Sequence, residues 1–60
     1  GEKVAKGAKV RNSILMQDTV ISENADVEYV ITDKNVWIGN GKELKGNDSF
    51  PVYVAKNRSV

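Results

Sequence analysis

Val4-Ala5-Lys6-Gly7-Ala8-Lys9-Val10 lines up with Ile21-Ser22-Glu23-Asn24-Ala25-Asp26-Val27, and both line up with Ile38-Gly39-Asn40-Gly41-Lys42-Glu43-Leu44. The step is 17 residues each time, from position 4 to 21 to 38. Such a period marks a stacked repeat, in which each unit buries its apolar surface only against its neighbours. A finer beat runs inside it. A small residue followed two positions later by an aliphatic one recurs as Ala8/Val10, Ser13/Leu15, Thr19/Ile21, Ala25/Val27, Val30/Thr32 and Val36/Ile38. The second members are spaced five, six and six residues apart, which sums to 17. A chain that turns every six residues and closes after three turns is a triangular coil. The fold class read from this pattern is all-β, a parallel β-helix of about three triangular coils.

Side chains alternate faces along a strand, so each short strand points its ends inward and its middle outward. The expected strands are 8–10, 13–15, 19–21, 25–27, 30–32, 36–38 and 42–44. Between them lie Arg11-Asn12, Met16-Gln17-Asp18, Ser22-Glu23-Asn24, Glu28-Tyr29, Asp33-Lys34-Asn35 and Gly39-Asn40-Gly41, where Asn, Asp, Ser and Gly suit tight corners. Residues 17 apart should stack roughly 4.8 Å apart. The expected core therefore contains Val4 below Ile21 and Ile38, Val10 below Val27 and Leu44, and Leu15 below Thr32. Coils are expected at about 4–20, 21–37 and 38–54. The repeat fades after Leu44 into a polar loop. Phe50-Pro51-Val52-Tyr53-Val54 then reads as a last capping strand, with Pro51 at its start because proline donates nothing to a ladder. Residues 55–60 read as a tail held only by a partner.

Composition excludes much chemistry. The chain has 60 residues, no cysteine, no histidine and a formal net charge of +1. The commonest general base and the thiolate ligands are thus missing. No catalytic, cofactor-binding or metal-ligating residue is assigned, and no cofactor is expected. Charges of both signs are interspersed, which gives no nucleic-acid stripe and no membrane-binding run. Gly39-Asn40-Gly41 lacks the lysine and following helix of a phosphate loop and reads as a corner. Asn47-Asp48-Ser49 and Asn57-Arg58-Ser59 match the glycosylation pattern by chance. Asp18, Glu23, Asp26, Asp33 and Asp48 show no paired spacing for metal or glycosidase chemistry and read as solvated corners. Lys42, Lys45, Lys56 and Arg58 form the basic cluster to which an anionic effector could bind.

The outward strand middles carry more information. Lys9, Asp26 and Glu43 make one face polar, as water requires. Ile14 and Ile31 share a second face, Val20 and Trp37 a third, and Tyr29 stands at an adjoining corner. Exposed apolar surface of this kind marks contact with another domain or subunit. A one-residue slip would hide it but would point Asp33 into the core.

These residues resemble a family. The six-residue beat is similar to that of left-handed, hexapeptide-repeat β-helix proteins. The handedness is implied by the resemblance, since it departs from the usual right-handed crossover. Asn12-Ser13-Ile14-Leu15-Met16-Gln17-Asp18-Thr19-Val20-Ile21, and then Glu28-Tyr29-Val30-Ile31-Thr32-Asp33-Lys34-Asn35-Val36, resemble the C-terminal β-helix of bacterial glucose-1-phosphate adenylyltransferases. Leu44-Lys45-Gly46 and Pro51-Val52-Tyr53-Val54 extend the likeness, so that it covers residues 4–60. Met16-Gln17 and Asp33-Lys34-Asn35 look closest to the D-type regulatory subunit. The resemblance implies a cytoplasmic protein of glycogen biosynthesis that transfers an adenylyl group from ATP to glucose 1-phosphate. Its catalytic residues would lie in an N-terminal nucleotidyltransferase domain that this stretch does not contain. The implied partners of the β-helix are that catalytic domain and sister subunits. A trimeric hexapeptide acyltransferase is the rival reading, weakened because such enzymes use a histidine base. A stand-alone scaffold is the third.

Overall fold

The computed structural model describes residues 2–60. Nine short strands carry the chain: β1 (Lys3–Val4), β2 (Lys9–Arg11), β3 (Ile14–Leu15), β4 (Val20–Ile21), β5 (Asp26–Glu28), β6 (Val30–Thr32), β7 (Trp37–Ile38), β8 (Glu43–Lys45) and β9 (Val52–Val54). They form three sheets, in the orders β1-β4-β7, β2-β5-β8 and β3-β6-β9, and every pairing is parallel. Consecutive strands thus lie on different sheets, and each sheet collects every third strand. This is the parallel β-helix that the period predicts, and it agrees with the left-handed form that the resemblance implies.

The register is that of the repeat. Val4 pairs with Ile21 and Ile21 with Ile38; Val10 pairs with Val27 and Val27 with Leu44. The corners are turned by residues in the left-handed region, stacked in columns. One corner has Gly7 (φ 78°), Asn24 (60°) and Gly41 (67°), and another has Asp18 (62°), Asn35 (57°) and Asn57 (64°). Glycine, Asn and Asp tolerate this conformation best. The remaining corner stacks Asn12 (φ 50°) under Tyr29 (53°). A bulky ring in that conformation is uncommon and costs about 1–3 kcal/mol.

The core lies in and around the middle coil. Ile21, Val27, Val30 and Ile38 are fully buried, with Ala25 and Val36 at 1% exposure. Its polar members are satisfied. Thr19 and Thr32 are also fully buried, and their Oγ1 atoms are hydrogen-bonded to each other at 2.8 Å. The Met16 N–H donates to Thr32 Oγ1 at 3.2 Å. Ser13 Oγ accepts from the Val30 N–H at 3.1 Å, taking a donor that the Tyr29 corner turns out of the ladder. An unmade bond at such a site would cost about 1–3 kcal/mol. Among the described residues no buried side-chain nitrogen or oxygen lacks a partner.

Two expectations are corrected. Val4 stacks in register under Ile21 yet is 53% exposed. Its inward position has no described layer beneath it. The third coil also does not end at residue 54 with a loose tail beyond it. Val30 pairs with Val52, a step of 22 residues and five more than the repeat. The extra residues make an excursion between Lys45 and Val52. It leaves with the Gly46 N–H on Glu28 O at 2.9 Å and returns with the Val52 N–H on Tyr29 O at 2.9 Å. Asn47 Oδ1 closes it by accepting from the Ser49 and Phe50 N–H groups, each at 3.0 Å. A Cβ on Gly46 would lie 2.8 Å from Tyr29 O and 2.8 Å from Val52 N, so no larger residue fits where the chain passes itself. Beyond the excursion β9 is the last strand of the third sheet. Residues 55–60 then turn a corner at Asn57, whose Oδ1 accepts from Asn35 Nδ2 at 2.9 Å. The last residues pair on β7, with the Trp37 N–H on Arg58 O and the Val60 N–H on Trp37 O, both at 2.9 Å.

Candidate interaction surface

Three outer faces follow from the three sheets, and their chemistry differs. The face of β2-β5-β8 is ionic. Arg11 Nη2 lies 3.1 Å from Asp26 Oδ1 and 3.6 Å from Glu28 Oε1, and Lys45 Nζ lies 3.2 Å from Asp26 Oδ2. Asp26 thus ties the first coil to the third. Desolvation pushes its carboxyl pKa up, but the hydrogen bond and charge of Lys45, with Arg11 behind, hold it below the ordinary value. Exposed pairs of this type contribute little individually. Their strict stacking here fixes which strand lies on which.

The face of β3-β6-β9 is apolar. Its outward column is Ile14, Ile31 and Tyr53. Ile14 is 59% exposed and Tyr53 60% exposed, with Ile31 half-buried between them. Neither acid nor base stands on these strands. At its edge the Tyr53 hydroxyl donates to Asp33 Oδ2 at 2.8 Å, and the Lys34 N–H donates to Asp33 Oδ1 at 2.7 Å. The Lys34 amide and the Tyr53 hydroxyl hold the Asp33 pKa below the ordinary carboxylate value. The same carboxylate raises the pKa of Tyr53. Asp33 therefore stands outside the core, at a corner. Tyr29 is half-buried at the opposite corner of this face, and Phe50 is the most exposed large apolar residue, at 78%.

The face of β1-β4-β7 stacks Lys3, Val20 and Trp37. Trp37 is 54% exposed and Val20 half-buried. The sequence pattern places Ile14, Val20, Ile31 and Trp37 outward, and the structure puts them on two faces that share the Asp18/Asn35/Asn57 corner. It misses Tyr53 as a member of the Ile14 column, because the excursion moves the stacked position from 48 to 53. The signal available was the aliphatic pair Val52 and Val54 flanking Tyr53.

Among the described residues no three His, Cys, Asp or Glu side chains come together to hold a metal ion. Gly41 of the glycine pair is a corner residue whose N–H donates to Glu23 O at 2.9 Å. Lys45 is committed to Asp26, Lys42 and Lys56 stand at different corners, and Arg58 lines the C-terminal end.

A family model described as the GlmU-like, C-terminal hexapeptide matches residues 1–50. The chain belongs to this hexapeptide family. Its hexapeptide β-helix is also similar to part of a probable mannose-1-phosphate guanyltransferase of Schizosaccharomyces pombe, with 35% identity over 49 residues. That stretch is 82% of this chain and 12% of the relative, so the chain spans about an eighth of the length of the curated relative it matches. No solved structure matches it.

Proposed function

We propose that this hexapeptide domain is the packing and assembly module of a sugar-1-phosphate nucleotidyltransferase. It is non-catalytic itself and covers its apolar faces with a catalytic domain and sister subunits. The observation that carries the reading is the uncharged outward column Ile14-Ile31-Tyr53, two members of which are more than half exposed. Exposed apolar surface of that kind is a contact surface. The finer reading, supported by the likeness of residues 12–21 and 28–36, is glucose-1-phosphate adenylyltransferase, D-type, working in the bacterial cytoplasm in glycogen synthesis. The guanyltransferase relative favours a second reading, transfer of a guanylyl group to mannose 1-phosphate. The acyltransferase alternative lacks support from any histidine.

The test has two arms. The purified 60-residue chain should release no pyrophosphate from ATP with glucose 1-phosphate or from GTP with mannose 1-phosphate. Turnover above background would overturn the non-catalytic reading. The intact gene product, given the same two substrate pairs, decides between the finer readings. Substituting Ile31→Lys in that protein should dissociate its oligomer or release its catalytic domain to proteolysis.

A further inference from the structure

Six asparagines stand in the chain, and one of them, Asn40, is followed by glycine. The others are followed by Ser13, Ala25, Val36, Asp48 and Arg58. The following residue matters because its backbone nitrogen can attack the asparagine side chain. A side chain on that residue crowds the approach, and glycine has none. The space around Gly41 is open as well: a Cβ built there would meet no atom within 4 Å beyond its chain neighbours.

The other asparagines have structural duties. Asn12, Asn24, Asn35 and Asn57 turn corners at positive φ, Asn35 Nδ2 also donates to Asn57 Oδ1, and Asn47 Oδ1 closes the excursion. Asn40 has none of these. It is exposed, it is not among the residues at positive φ, and among the described residues its side chain makes no hydrogen bond. The exposure belongs to the corner. Glu23 stands one repeat below Asn40, between the Lys6 and Asn40 layers, and it too is exposed.

One contact restrains the pair. The Gly41 N–H donates to Glu23 O at 2.9 Å, and the Lys42 N–H donates to Gly39 O at 3.2 Å across the turn that holds Asn40. A nitrogen whose proton is held in the ladder is not free to swing onto the neighbouring side chain.

We propose that Asn40-Gly41 is a deamidation site whose rate is set by local opening of its corner. Once the Gly41 N–H leaves Glu23 O, the nitrogen bonds to Asn40 Cγ. The Cγ–Nδ2 bond breaks, and Nδ2 departs as ammonia with the proton that Gly41 gave up. The product is a cyclic succinimide that includes the Gly41 nitrogen. Water then adds to one of its carbonyl carbons and breaks the bond from that carbon to nitrogen. Breaking it at Cγ leaves an aspartate at position 40 on an unchanged backbone. Breaking it at the backbone carbonyl routes the chain through Cγ, an isoaspartate with an extra CH2 in the main chain. Water is the co-reactant, and no electrons are exchanged with another species. The isoaspartate carries the Gly41 nitrogen away from Glu23 O, so the third coil loses a bond to the second. Segments open at free energies that range up to that of global unfolding, so the corner's own stability sets the pace. The reaction does not depend on what covers the lateral faces.

The intact gene product is aged in neutral buffer, with and without denaturant, and its tryptic peptides are read by mass spectrometry. Residues 35–42 fall in one peptide, between Lys34 and Lys42, and fragmentation separates Asn40 from Asn35. Of the six asparagines, Asn40 should convert first, and about tenfold or more slower in native buffer than in denaturant. Equal rates in the two conditions overturn the gating. Earlier conversion at any of the other five, or none at Asn40 in denaturant, overturns the site. Asn40→Asp separates the new charge from the new backbone. It should melt like the parent protein, whereas aged protein enriched in the isoaspartyl form should melt lower. An equal loss in Asn40→Asp counts against the backbone account.

Discussion

Ile21 and Val4 occupy the same inward column one layer apart, yet Ile21 is fully buried and Val4 is 53% exposed. The middle coil and the first coil are built from one repeat, with the same corners and the same pattern of small and aliphatic residues. What separates them is the number of layers on either side. In a globular core, side-chain direction largely decides burial. In a stacked coil, direction decides only that a residue can be buried, and the neighbouring layers decide whether it is. The C-terminal end makes the same point in reverse. Val54 lies on the last layer of its sheet yet is only 6% exposed, and it lines the same depression as Arg58 and Val60. The last residues there pair on β7.

The sharpest way to break this comparison is to place a charge at both positions. Ile21→Asp puts an unpaired carboxylate in a dry interior, a penalty of several kcal/mol, and a chain this short has little stability to lose. It should show no cooperative thermal transition by circular dichroism. Val4→Asp should keep the transition, with a midpoint within a few degrees of the parent. Equal effects at the two sites would mean that layer number does not govern burial here. A smaller effect concerns the corner of the middle coil. Tyr29 holds φ at 53° where Asn12 stands one layer below. Tyr29→Asn relieves strain while giving up contacts of a half-exposed ring, and should raise the stability of the isolated chain by about 0.5–1 kcal/mol. A lowered denaturation midpoint would show that the ring's contacts outweigh the strain.

The smallest effect compares two carboxylates on different faces. Asp26 and Asp33 both titrate below the ordinary value of 3.8. Their contribution to stability is therefore present above that value and is lost as the pH falls through the depressed folded pKa. Tyr53 is raised above 10.0, so its contribution holds below that pH and fades as the solution becomes more alkaline. Tyr53→Phe removes the hydroxyl from Asp33 and leaves Asp26 untouched. Carboxyl carbon shifts followed by NMR should show the Asp33 titration moving toward higher pH and that of Asp26 unmoved.

The regular part of the fold is legible in the sequence because the period is itself the register. Once positions 4, 21 and 38 are aligned, the columns through Ile21, Val27 and Ile38 need no further information. Legibility stops where the period breaks. The excursion adds five residues, so the stacking partners of Val30, Ile31 and Asn35 are shifted to Val52, Tyr53 and Asn57. The closing turn is harder still to see, because Arg58 follows Thr19 and Val36 in its column, and a cation does not look like a core residue. The outward apolar residues were legible as a class. Their division between two faces follows from the same period, and only the membership of Tyr53 depended on the insertion.

The excursion between Lys45 and Val52 has a consequence for how such a chain can change. Its two ends are fixed by adjacent carbonyl groups, those of Glu28 and Tyr29. The geometry of departure and return is thus set by the coil below and is independent of what lies between. Lengthening a loop whose ends are already held costs only about 0.6 kcal/mol per doubling. The segment from Asn47 to Phe50 is therefore a place where new sequence, a recognition peptide or a small domain can be spliced in. Every residue of the coil would keep its address.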